Sequence, residues 1–343
     1  MLRGTPTSRI GAIQQNLNVF MVLVPQKWLN TRKSMQLLTV QGKTKFDTIA
    51  SISLSERITM PELPEVESTV QYLKERIEGV SIRDVSVYWK RTVATPEVPT
   101  FTRVLRNREI HSVFRRGKFI GIELKGMGHR YLFVHLRMSG SLDVIAADSP
   151  LAAHDRVVIT LSNGKSLRFN DTRKFGRMYL CQHPDRVVGA LGLEPLSEEF
   201  SCSHLADILR SKSGGMKQLL LDQSVIAGLG NIYVDEVLWK SRIHPQTTAC
   251  SVTPEQIGLL HAAIKDTLTE AISLAGTDFG DGVVYGGMYT PVVYGRDGEP
   301  CHRCGETIQK TVVSQRGTHL CPQCQRRRGA RRSKRSRNTH KRS

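Results

Sequence analysis

Four cysteines towards the carboxyl end of the chain have a spacing that could bind a metal. Cys301 and Cys304 form one C-x2-C pair, and Cys321 and Cys324 form a second pair after 16 intervening residues. Two such knuckles each supply two thiolates to a tetrahedral zinc ion. Four thiolates close the coordination sphere, so the spacing predicts one structural Zn2+ rather than a catalytic one. Two redox pairs are the alternative explanation.

A second candidate group lies in the segment MPELPEVE, residues 60 to 67. Glu62 and Glu65 are three positions apart, a spacing that places both carboxylates on one face of a helix. Such a pair could serve one catalytic site, where burial and neighbouring groups set the pKa of each carboxyl group. Acidic residues in a first helical turn also stabilise the helix dipole without any catalytic role. The residues alone leave both explanations open.

The elements that would position these groups begin with a predicted helix over residues 62 to 79. Its apolar residues recur at helical spacing, and Gly79 supplies a stop. Residues 80 to 182 then show alternation typical of strands and predict an antiparallel sandwich or barrel. The clearest strand-like pieces are SIRDVSVYW (81–89), KFIGIEL (118–124), YLFVHL (131–136), RVVITLS (156–162), SLRFND (166–171) and RMYLC (177–181). The Asn-Gly pair in SNGK (162–165) predicts a hairpin turn.

Helical periods replace the alternation after LGLEPL, residues 191 to 196. The predicted helices are 203–212, 216–222, 231–241 and 254–275. Asp222 and the AGLG stretch (227–230) interrupt the helical pattern, which gives a helix, two turns and a further helix. A glycine-rich stretch at 275–290 precedes the cysteine pairs. We therefore predict a multidomain α+β protein with domains at 60–190, 196–290 and 294–325, between an extension at 1–59 and a tail at 326–343.

The positive charge of the chain is concentrated in its two ends. The formal net charge is +18, and residues 325 to 343 hold ten basic residues and no acidic one. Such a tail has no periodic apolar face, so we expect it to be disordered and suited to nucleic acid. A solvated tail that only aids solubility is the alternative. No apolar run approaches the ~18 residues that span a bilayer, so no membrane partner is expected.

Taken in order, several motifs resemble the formamidopyrimidine-DNA glycosylase and endonuclease VIII family. They are MPELPEVE, RRGKF (115–119), HLRMSG (135–140), NDTRKFGR (170–177), GLGNIYVDEVLW (228–239) and the four-cysteine finger. The match runs from Met60 to Cys324 and covers the chain apart from its two ends. The resemblance implies an N-terminal helix with an antiparallel β-sandwich, a helix-two-turn-helix domain and a C-terminal zinc finger.

The resemblance also implies a chemistry, that of a bifunctional DNA glycosylase and AP lyase. Pro61, as a free terminal amine, would attack C1′ of the damaged nucleotide and form a Schiff base. Glu62 would act as general acid and base on the sugar. Lys118 would bind phosphate and donate a proton during β-elimination, and Arg316 would assist δ-elimination.

Six further residues match DNA contacts of the family, and the implied partner is double-stranded DNA with an oxidised base. His154, Arg173, Lys212 and Asn231 match contacts to DNA, and Met138, Arg173 and Phe175 match the trio that fills the gap left by a flipped nucleotide. That trio favours the formamidopyrimidine branch, hence oxidised purines such as 8-oxoguanine and formamidopyrimidines. We expect a monomer in the bacterial cytoplasm, associated with the nucleoid.

Some positions depart from the branch and leave the lesion open. Thr172 and Lys174 stand where Pro and Arg are common, and Arg137 stands where Gly is common. The glycine-rich stretch at 277–290 is a few residues shorter than the loop that usually caps 8-oxoguanine. An oxidised-pyrimidine glycosylase of the same family is therefore the alternative enzyme.

The chemistry also depends on what precedes Pro61. Inside a chain the nitrogen of proline is a tertiary amide, whose delocalised lone pair cannot act as a nucleophile. We expect residues 1–59 to reflect an upstream start chosen in error, with Met60 as the true start; a removable transit peptide is the alternative. If Pro61 stays internal, the expected protein is a catalytically silent binder of damaged DNA.

Overall fold

The computed structural model describes residues 60–277 and 287–327. The predicted extension at 1–59, most of the glycine-rich stretch and the basic tail from 328 onward lie outside the described residues. Seven helices are described: α1 Leu63–Ile77, α2 Val98–Leu105, α3 Asp185–Val188, α4 Cys202–Arg210, α5 Met216–Leu221, α6 Asn231–Lys240 and α7 Pro254–Ser273. No described helix is long and apolar enough to cross a membrane.

Eleven strands are described. They are β1 Ile82–Val87, β2 Val93–Thr95, β3 Ile110–Arg116, β4 Phe119–Leu124, β5 Tyr131–His135, β6 Gly140–Ala146, β7 Asp155–Leu161, β8 Lys165–Asp171, β9 Arg177–Cys181, β10 Gln309–Val313 and β11 Arg316–Leu320. The first nine form two sheets, in the orders β1-β7-β8-β6 and β2-β9-β5-β4-β3. Every pairing in these sheets is antiparallel except that of β2 with β9, which is parallel.

The sandwich core lies between these sheets and α1. The buried apolar residues of this core form one group, the sandwich cluster, which includes Val66 and Leu73 of α1, Ile120 of β4 and Phe169 of β8. The six strand-like pieces of the sequence correspond to β1, β4, β5, β7, β8 and β9, and the SNGK turn joins β7 to β8 with Gly164 at a φ of +77°. The predicted fold class is confirmed, whereas β2, β3, β6 and α2 were not anticipated.

A second core surrounds α6, whose residues Ile232 to Trp239 are all buried. A helix that is buried on every side shows little amphipathic periodicity and must be covered by its neighbours. Here α4, α5 and α7 supply that cover. The capping box of Thr253 and Gln256, with Pro254 in the first turn, begins α7.

The first turn of α1 joins the two cores. Leu63 packs in the helical cluster, whereas Val66 packs in the sandwich cluster. The main-chain N–H of Leu63 donates to the carbonyl of Gly228, in the turn before α6, at 3.1 Å. Residues at the start of α1 therefore lie where the sandwich meets the helical domain.

Candidate active site and zinc centre

Glu62 lies directly before α1 and faces the N-terminus of α6. Its side chain accepts hydrogen bonds from the main-chain N–H groups of Ile232, at 2.9 Å, and Tyr233, at 3.4 Å. Burial raises the pKa of Glu62 to about 7, although the charge of Lys118 lowers it. A carboxyl group that titrates near neutrality can both donate and accept a proton at physiological pH.

Glu65 supports this arrangement from the next turn of α1. Its carboxylate accepts from the main-chain N–H of Glu62 at 2.9 Å, from the hydroxyl of Tyr233 at 2.6 Å and from the main-chain N–H of Thr277 at 2.9 Å. These three donors occupy both oxygens of the carboxylate. Glu65 therefore fixes the position of Glu62 and ties α1 to α6 and to the end of α7.

Two glycines make the close approach of these elements possible. A Cβ atom at Gly230 would lie 2.3 Å from the carboxyl carbon of Glu62. A Cβ atom at Gly276, whose φ is +83°, would lie 2.7 Å from a carboxylate oxygen of Glu65. Real Cβ atoms do not approach other atoms so closely. Both glycines are needed for steric reasons if the two carboxylates are to keep these positions.

Lys118 lies in the two-residue turn between β3 and β4. Burial lowers the pKa of Lys118, and the charge of Arg316 lowers it further, whereas Glu62 and Glu65 raise it. A lysine with a lowered pKa gives up its proton more readily than an exposed one. The turn that carries Lys118 lies against the segment before α6, because a Cβ atom at Gly117 would lie 3.3 Å from the Cβ of Ala227 and 3.6 Å from the main-chain nitrogen of Gly228.

Glu194 holds the Lys118 turn in place. Its carboxylate accepts from the main-chain N–H of Gly117 at 2.6 Å, from Arg116 at 2.8 Å and from Arg115 at 2.5 Å. Arg115 also donates to Glu67 of α1 at 2.7 Å. The LGLEPL motif indicated only a domain boundary, because a carboxylate that caps a distant turn leaves no local pattern in the sequence.

Arg316 is brought to the same place by the zinc-finger hairpin. The carbonyl of the next residue, Gly317, accepts from the side-chain amide of Asn231 at 2.9 Å and from the ammonium of Lys217 at 3.1 Å. Asn231 is the first residue of α6. The hairpin that carries Arg316 is therefore attached to the helix terminus that faces Glu62.

Lys217 was not anticipated from the sequence. Its ammonium pairs with Asp235 at 2.6 Å, and both side chains are fully buried. Asp235 also accepts from the main-chain N–H of His319, in β11, at 2.8 Å. A buried charge must be paired, because desolvation of an isolated ion is costly. A lysine within the largely apolar run MKQLLL was the available signal, whereas the family resemblance pointed to the exposed Lys212.

Met138, Arg173 and Phe175 lie together on two adjoining turns of the sandwich. Met138 is half-buried in the turn between β5 and β6. Arg173 and Phe175 belong to the 172–176 loop between β8 and β9, where the guanidinium lies 5.0 Å from the centre of the Phe175 ring. Phe175 exposes 45% of its surface. An exposed aromatic ring beside a guanidinium suits contact with nucleic-acid bases.

Asp171 fixes these two turns to each other. Its carboxylate accepts from the hydroxyl of Ser139 at 2.5 Å and from the main-chain N–H of Gly176 at 2.8 Å. The hydroxyl of Ser139 in turn accepts from the main-chain N–H of Arg173 at 3.1 Å. The loop is thus held at both ends by one buried carboxylate.

The two remaining predicted contacts are exposed. The ring of His154 lies 3.1 Å from the guanidinium of Arg156, and its carbonyl accepts from the main-chain N–H of Asp171 at 2.9 Å. Lys212 follows α4, with its side chain exposed. His154 therefore neighbours the 172–176 loop, whereas Lys212 belongs to the helical domain.

The four cysteines form one cluster in which all sulfur atoms lie within 4.8 Å of one another. The distance between Sγ atoms is 3.5 Å for Cys304 and Cys321 and 4.0 Å for Cys301 and Cys324. Four ligands at the usual Zn–S distance of about 2.3 Å would be separated by similar lengths. The indole N–H of Trp239 donates to the sulfur of Cys301 at 3.3 Å, the type of second contact that orients a metal ligand.

Family models match three consecutive parts of the chain. The N-terminal domain of formamidopyrimidine-DNA glycosylase matches residues 60–178, its H2TH domain matches 191–281, and the zinc finger found in FPG and IleRS matches 298–327. The zinc-finger match and the cysteine cluster together confirm the prediction of one structural zinc. The cluster consists of the four cysteines that were predicted to bind it, Cys301, Cys304, Cys321 and Cys324.

Similar proteins of known sequence are bacterial. Formamidopyrimidine-DNA glycosylase of Roseiflexus sp. (strain RS-1) is 44% identical over 275 residues, which cover 78% of this chain and 100% of the relative. The enzyme of the same name from Protochlamydia amoebophila (strain UWE25) is 40% identical over 276 residues, which cover 78% of this chain and 99% of the relative.

Solved structures with the same fold contain DNA. A structure of MutM in complex with carbocyclic 8-oxo-G containing DNA is 38% identical, with a TM-score of 0.73, and the match covers 78% of this chain and 100% of that one. The Lactococcus lactis Fpg complex with abasic site containing DNA is 36% identical, with a TM-score of 0.72 and the same coverage. The resemblance inferred from the motifs is thus confirmed, and the chain belongs to the formamidopyrimidine-DNA glycosylase family.

Proposed function

We propose that the protein is a bifunctional DNA glycosylase and AP lyase that removes oxidised purines from duplex DNA. The observation that carries the proposal is the convergence of Glu62, Lys118 and Arg316 around the start of α6, next to Pro61. The pKa of Glu62 is raised to about 7 and that of Lys118 is lowered, which suits both groups to proton transfer. Relatives named formamidopyrimidine-DNA glycosylase, and a structural neighbour bound to DNA that contains carbocyclic 8-oxo-G, support the glycosylase part of the proposal.

The first step is the loss of the damaged base. The secondary amine of Pro61 attacks C1′ as the bond from C1′ to the base breaks, and the base leaves with the proton that the amine gives up. Glu62 then donates its proton to the ring oxygen as the bond from C1′ to that oxygen breaks, and the nitrogen lone pair forms the iminium. Glu62 is placed for this role because it is the residue next to the nucleophile and its carboxyl group is partly protonated at neutral pH.

The second step cleaves the strand. Glu62, ionised in the first step, takes a proton from C2′ as the C3′–O bond breaks and the 3′ phosphate leaves. Loss of the C4′ proton to water then breaks the C5′–O bond and expels the 5′ phosphate. Lys118 supplies a proton and a positive charge to the first leaving phosphate, and Arg316 stabilises the second. Hydrolysis of the remaining iminium restores the Pro61 amine. Asn231 and Lys217 assist by holding the carbonyl of Gly317 beside Arg316.

The 172–176 loop and Met138 serve the proposed glycosylase by filling the gap that the flipped nucleotide leaves. Phe175 enters as an apolar wedge, Met138 fills the vacated space, and Arg173 meets the orphaned base. His154 and Lys212 contact the DNA backbone, which positions the duplex without reading its sequence. The protein acts as a monomer on chromosomal DNA, in the bacterial cytoplasm.

The mechanism requires a catalytic form in which Pro61 is the first residue. The N-terminal family model begins to match at Met60, and 78% of this chain covers 99% to 100% of the length of the two relatives described above. Removal of Met60 from a protein that starts there exposes the Pro61 amine. A form that retains the preceding residues has an amide at this position and binds DNA without catalysis.

Borohydride trapping tests this proposal directly, because it reduces the Schiff base to a stable covalent link. We expect the form that starts at Pro61 to be trapped on duplexes with 8-oxoguanine, and the 343-residue form not to be trapped. Trapping by a longer form, shown by intact mass to be uncleaved, would make Lys118 the first candidate nucleophile. Parallel assays with an oxidised pyrimidine decide between the two lesion classes.

A further inference from the structure

Lys174, in the 172–176 loop, contacts a different aromatic ring from its neighbour Arg173, which lies over Phe175. The ammonium of Lys174 lies 4.2 Å from the centre of the Trp89 ring. Lys174 has a φ of +62°, a left-handed conformation that is unfavourable for a residue with a Cβ atom. Such a conformation persists where the surrounding structure holds it. The cation–π attraction between the Lys174 ammonium and the Trp89 ring can hold Lys174 in this conformation.

Trp89 is fixed to the base of the same loop by a separate route. The main-chain N–H groups of Tyr88 and Trp89 donate to the carbonyl of Arg156 at 2.8 and 3.3 Å. The guanidinium of Arg156 then donates to the carbonyl of Asp171 at 2.8 Å. Arg156 therefore sets the distance between Trp89 and the start of the loop.

The far end of the loop is tied to the same region of the sandwich. Strand β2, which follows the Trp89 turn, pairs with β9, which follows the loop. Arg177, the first residue of β9, donates to the carbonyls of Lys174, Phe175 and Gly176 at 3.3, 3.3 and 2.9 Å. The loop is thus closed by hydrogen bonds at both ends, and the Lys174 contact with Trp89 is its support in the middle.

We propose that Trp89 is a positioning residue for the 172–176 loop. Its indole face holds Lys174 in the left-handed conformation, which keeps Arg173 and Phe175 together on the opposite side of the loop. The inference rests on the proposed function, in which Arg173 meets the base opposite the lesion. Trp89 would then act on discrimination between opposite bases without touching the DNA.

The test compares excision of 8-oxoguanine opposite cytosine and opposite adenine, under single-turnover conditions, by the catalytically active form. We expect Trp89→Leu and Lys174→Gln each to move the ratio of the two rates towards one, by about 2- to 10-fold. The double variant should lose no more than either single variant, since both remove the same contact. Trp89→Tyr and Lys174→Arg should largely keep the ratio, because each retains an aromatic face or a cation.

Lys165→Gln is the matched control, since it removes the same charge from an exposed position of β8. Additive losses in the double variant would overturn the inference. So would a uniform loss of affinity for all duplexes in Lys174→Gln with a smaller salt dependence, which would make Lys174 a phosphate contact. If Trp89→Leu does not fold, the ratio of excision rates is compared between Lys174→Gln and Trp89→Tyr instead.

Arg173→Ala separates the failure of this inference from the failure of the proposed function. If Arg173→Ala leaves the ratio unchanged, the proposed role of the loop is wrong, and the Trp89 inference falls with it. If Arg173→Ala moves the ratio to one while folded Trp89→Leu and Lys174→Gln keep it, only the positioning inference is wrong.

Discussion

The main-chain N–H of Ile232 donates a 2.9 Å hydrogen bond to the carboxylate of Glu62, across 170 residues of sequence. A carboxylate at a helix N-terminus is normally stabilised in its charged form. Burial outweighs this effect here, because the pKa of Glu62 is raised to about 7. The contact also requires the start of α6 to approach α1 closely, and Gly230 is the residue that permits it.

Replacement of Gly230 by alanine should remove most of the base-excision activity. The new Cβ atom would lie 2.3 Å from the carboxyl carbon of Glu62, so the carboxyl group must move away from the start of α6. We expect at least a 100-fold loss, since general acid–base catalysis contributes about 10²- to 10⁴-fold. The loss is measured as the rate of 8-oxoguanine excision under single-turnover conditions.

Gly258→Ala is the control for this substitution. Gly258 lies within α7, and a Cβ atom there has no neighbour within 4 Å. Alanine in a helix is more stable than glycine by about 0.5–1 kcal/mol, so this variant should gain stability and keep its activity. Normal excision by folded Gly230→Ala would show that the Glu62 position is unimportant for catalysis.

The rate of base excision should fall as the pH rises above about 7. Protonated Glu62 donates the proton in the proposed ring opening, and its pKa is about 7, so the reactive fraction halves near that pH and then declines tenfold per pH unit. Glu62→Gln should be inactive in excision. If the excision rate in single-turnover assays does not fall above about pH 7, Glu62 is not the proton donor.

The same pKa gives a second readout that is independent of activity. The folded protein holds a proton on Glu62 between pH 4.5 and about 7, where the unfolded chain has released it. The free energy of unfolding should therefore decrease across this range by roughly 3 kcal/mol, from ~1.4 kcal/mol per pKa unit. Glu62→Gln should lack that decrease, which denaturation at pH 5 and pH 8 can measure.

Local sequence patterns account for much of the fold and for the zinc centre. Alternation predicted β7 and β8, and the Asn-Gly pair predicted their turn, because both depend on neighbouring residues alone. The spacing of the four cysteines was likewise sufficient by itself to predict the zinc centre. Strand β3 was missed although it pairs with β4, since its residues IHSVFRR end in a basic pair whose partners, Glu67 and Glu194, are distant in sequence.

The supports of the candidate site depend on contacts that no local pattern reports. Lys217 and Asp235 are 18 positions apart, yet their pair is buried only because β11 covers it. Glu65 was expected to share a site with Glu62, whereas Tyr233 and Thr277 occupy its oxygens. Family resemblance predicts which residues react with DNA, and the folded chain is needed to find those that hold them in place.

Glu194→Gln should slow strand cleavage more than base excision. Glutamine offers one carbonyl oxygen in place of the two carboxylate oxygens that hold Gly117, Arg116 and Arg115. We expect a loss of about 1–3 kcal/mol in stability and displacement of the turn that carries Lys118. The measurement is β-elimination on a preformed abasic site, compared with excision of 8-oxoguanine by the same variant.

Glu109→Gln, at the residue directly before β3, is the matched control. Glu109 pairs with the exposed Lys125 at 2.5 Å, and such surface pairs contribute only about 0–1 kcal/mol. This variant should therefore resemble the parent protein in stability and in both reactions. If Glu194→Gln does the same, the Lys118 turn does not depend on Glu194.

Loss of the zinc should disable strand cleavage through Arg316. The hairpin of β10 and β11 has few buried residues of its own, so metal binding supplies its folding energy. Metal analysis should find about one zinc per chain, and Cys301→Ser or a chelator should remove it and weaken binding to abasic-site DNA. Cys250→Ser is the control, because Cys250 is exposed and lies outside the cluster.

Because Gly317 in this hairpin contacts Asn231 and Lys217, δ-elimination should fall further than β-elimination in Cys301→Ser. Full zinc content and unchanged affinity in that variant would show that these cysteines do not form the metal site.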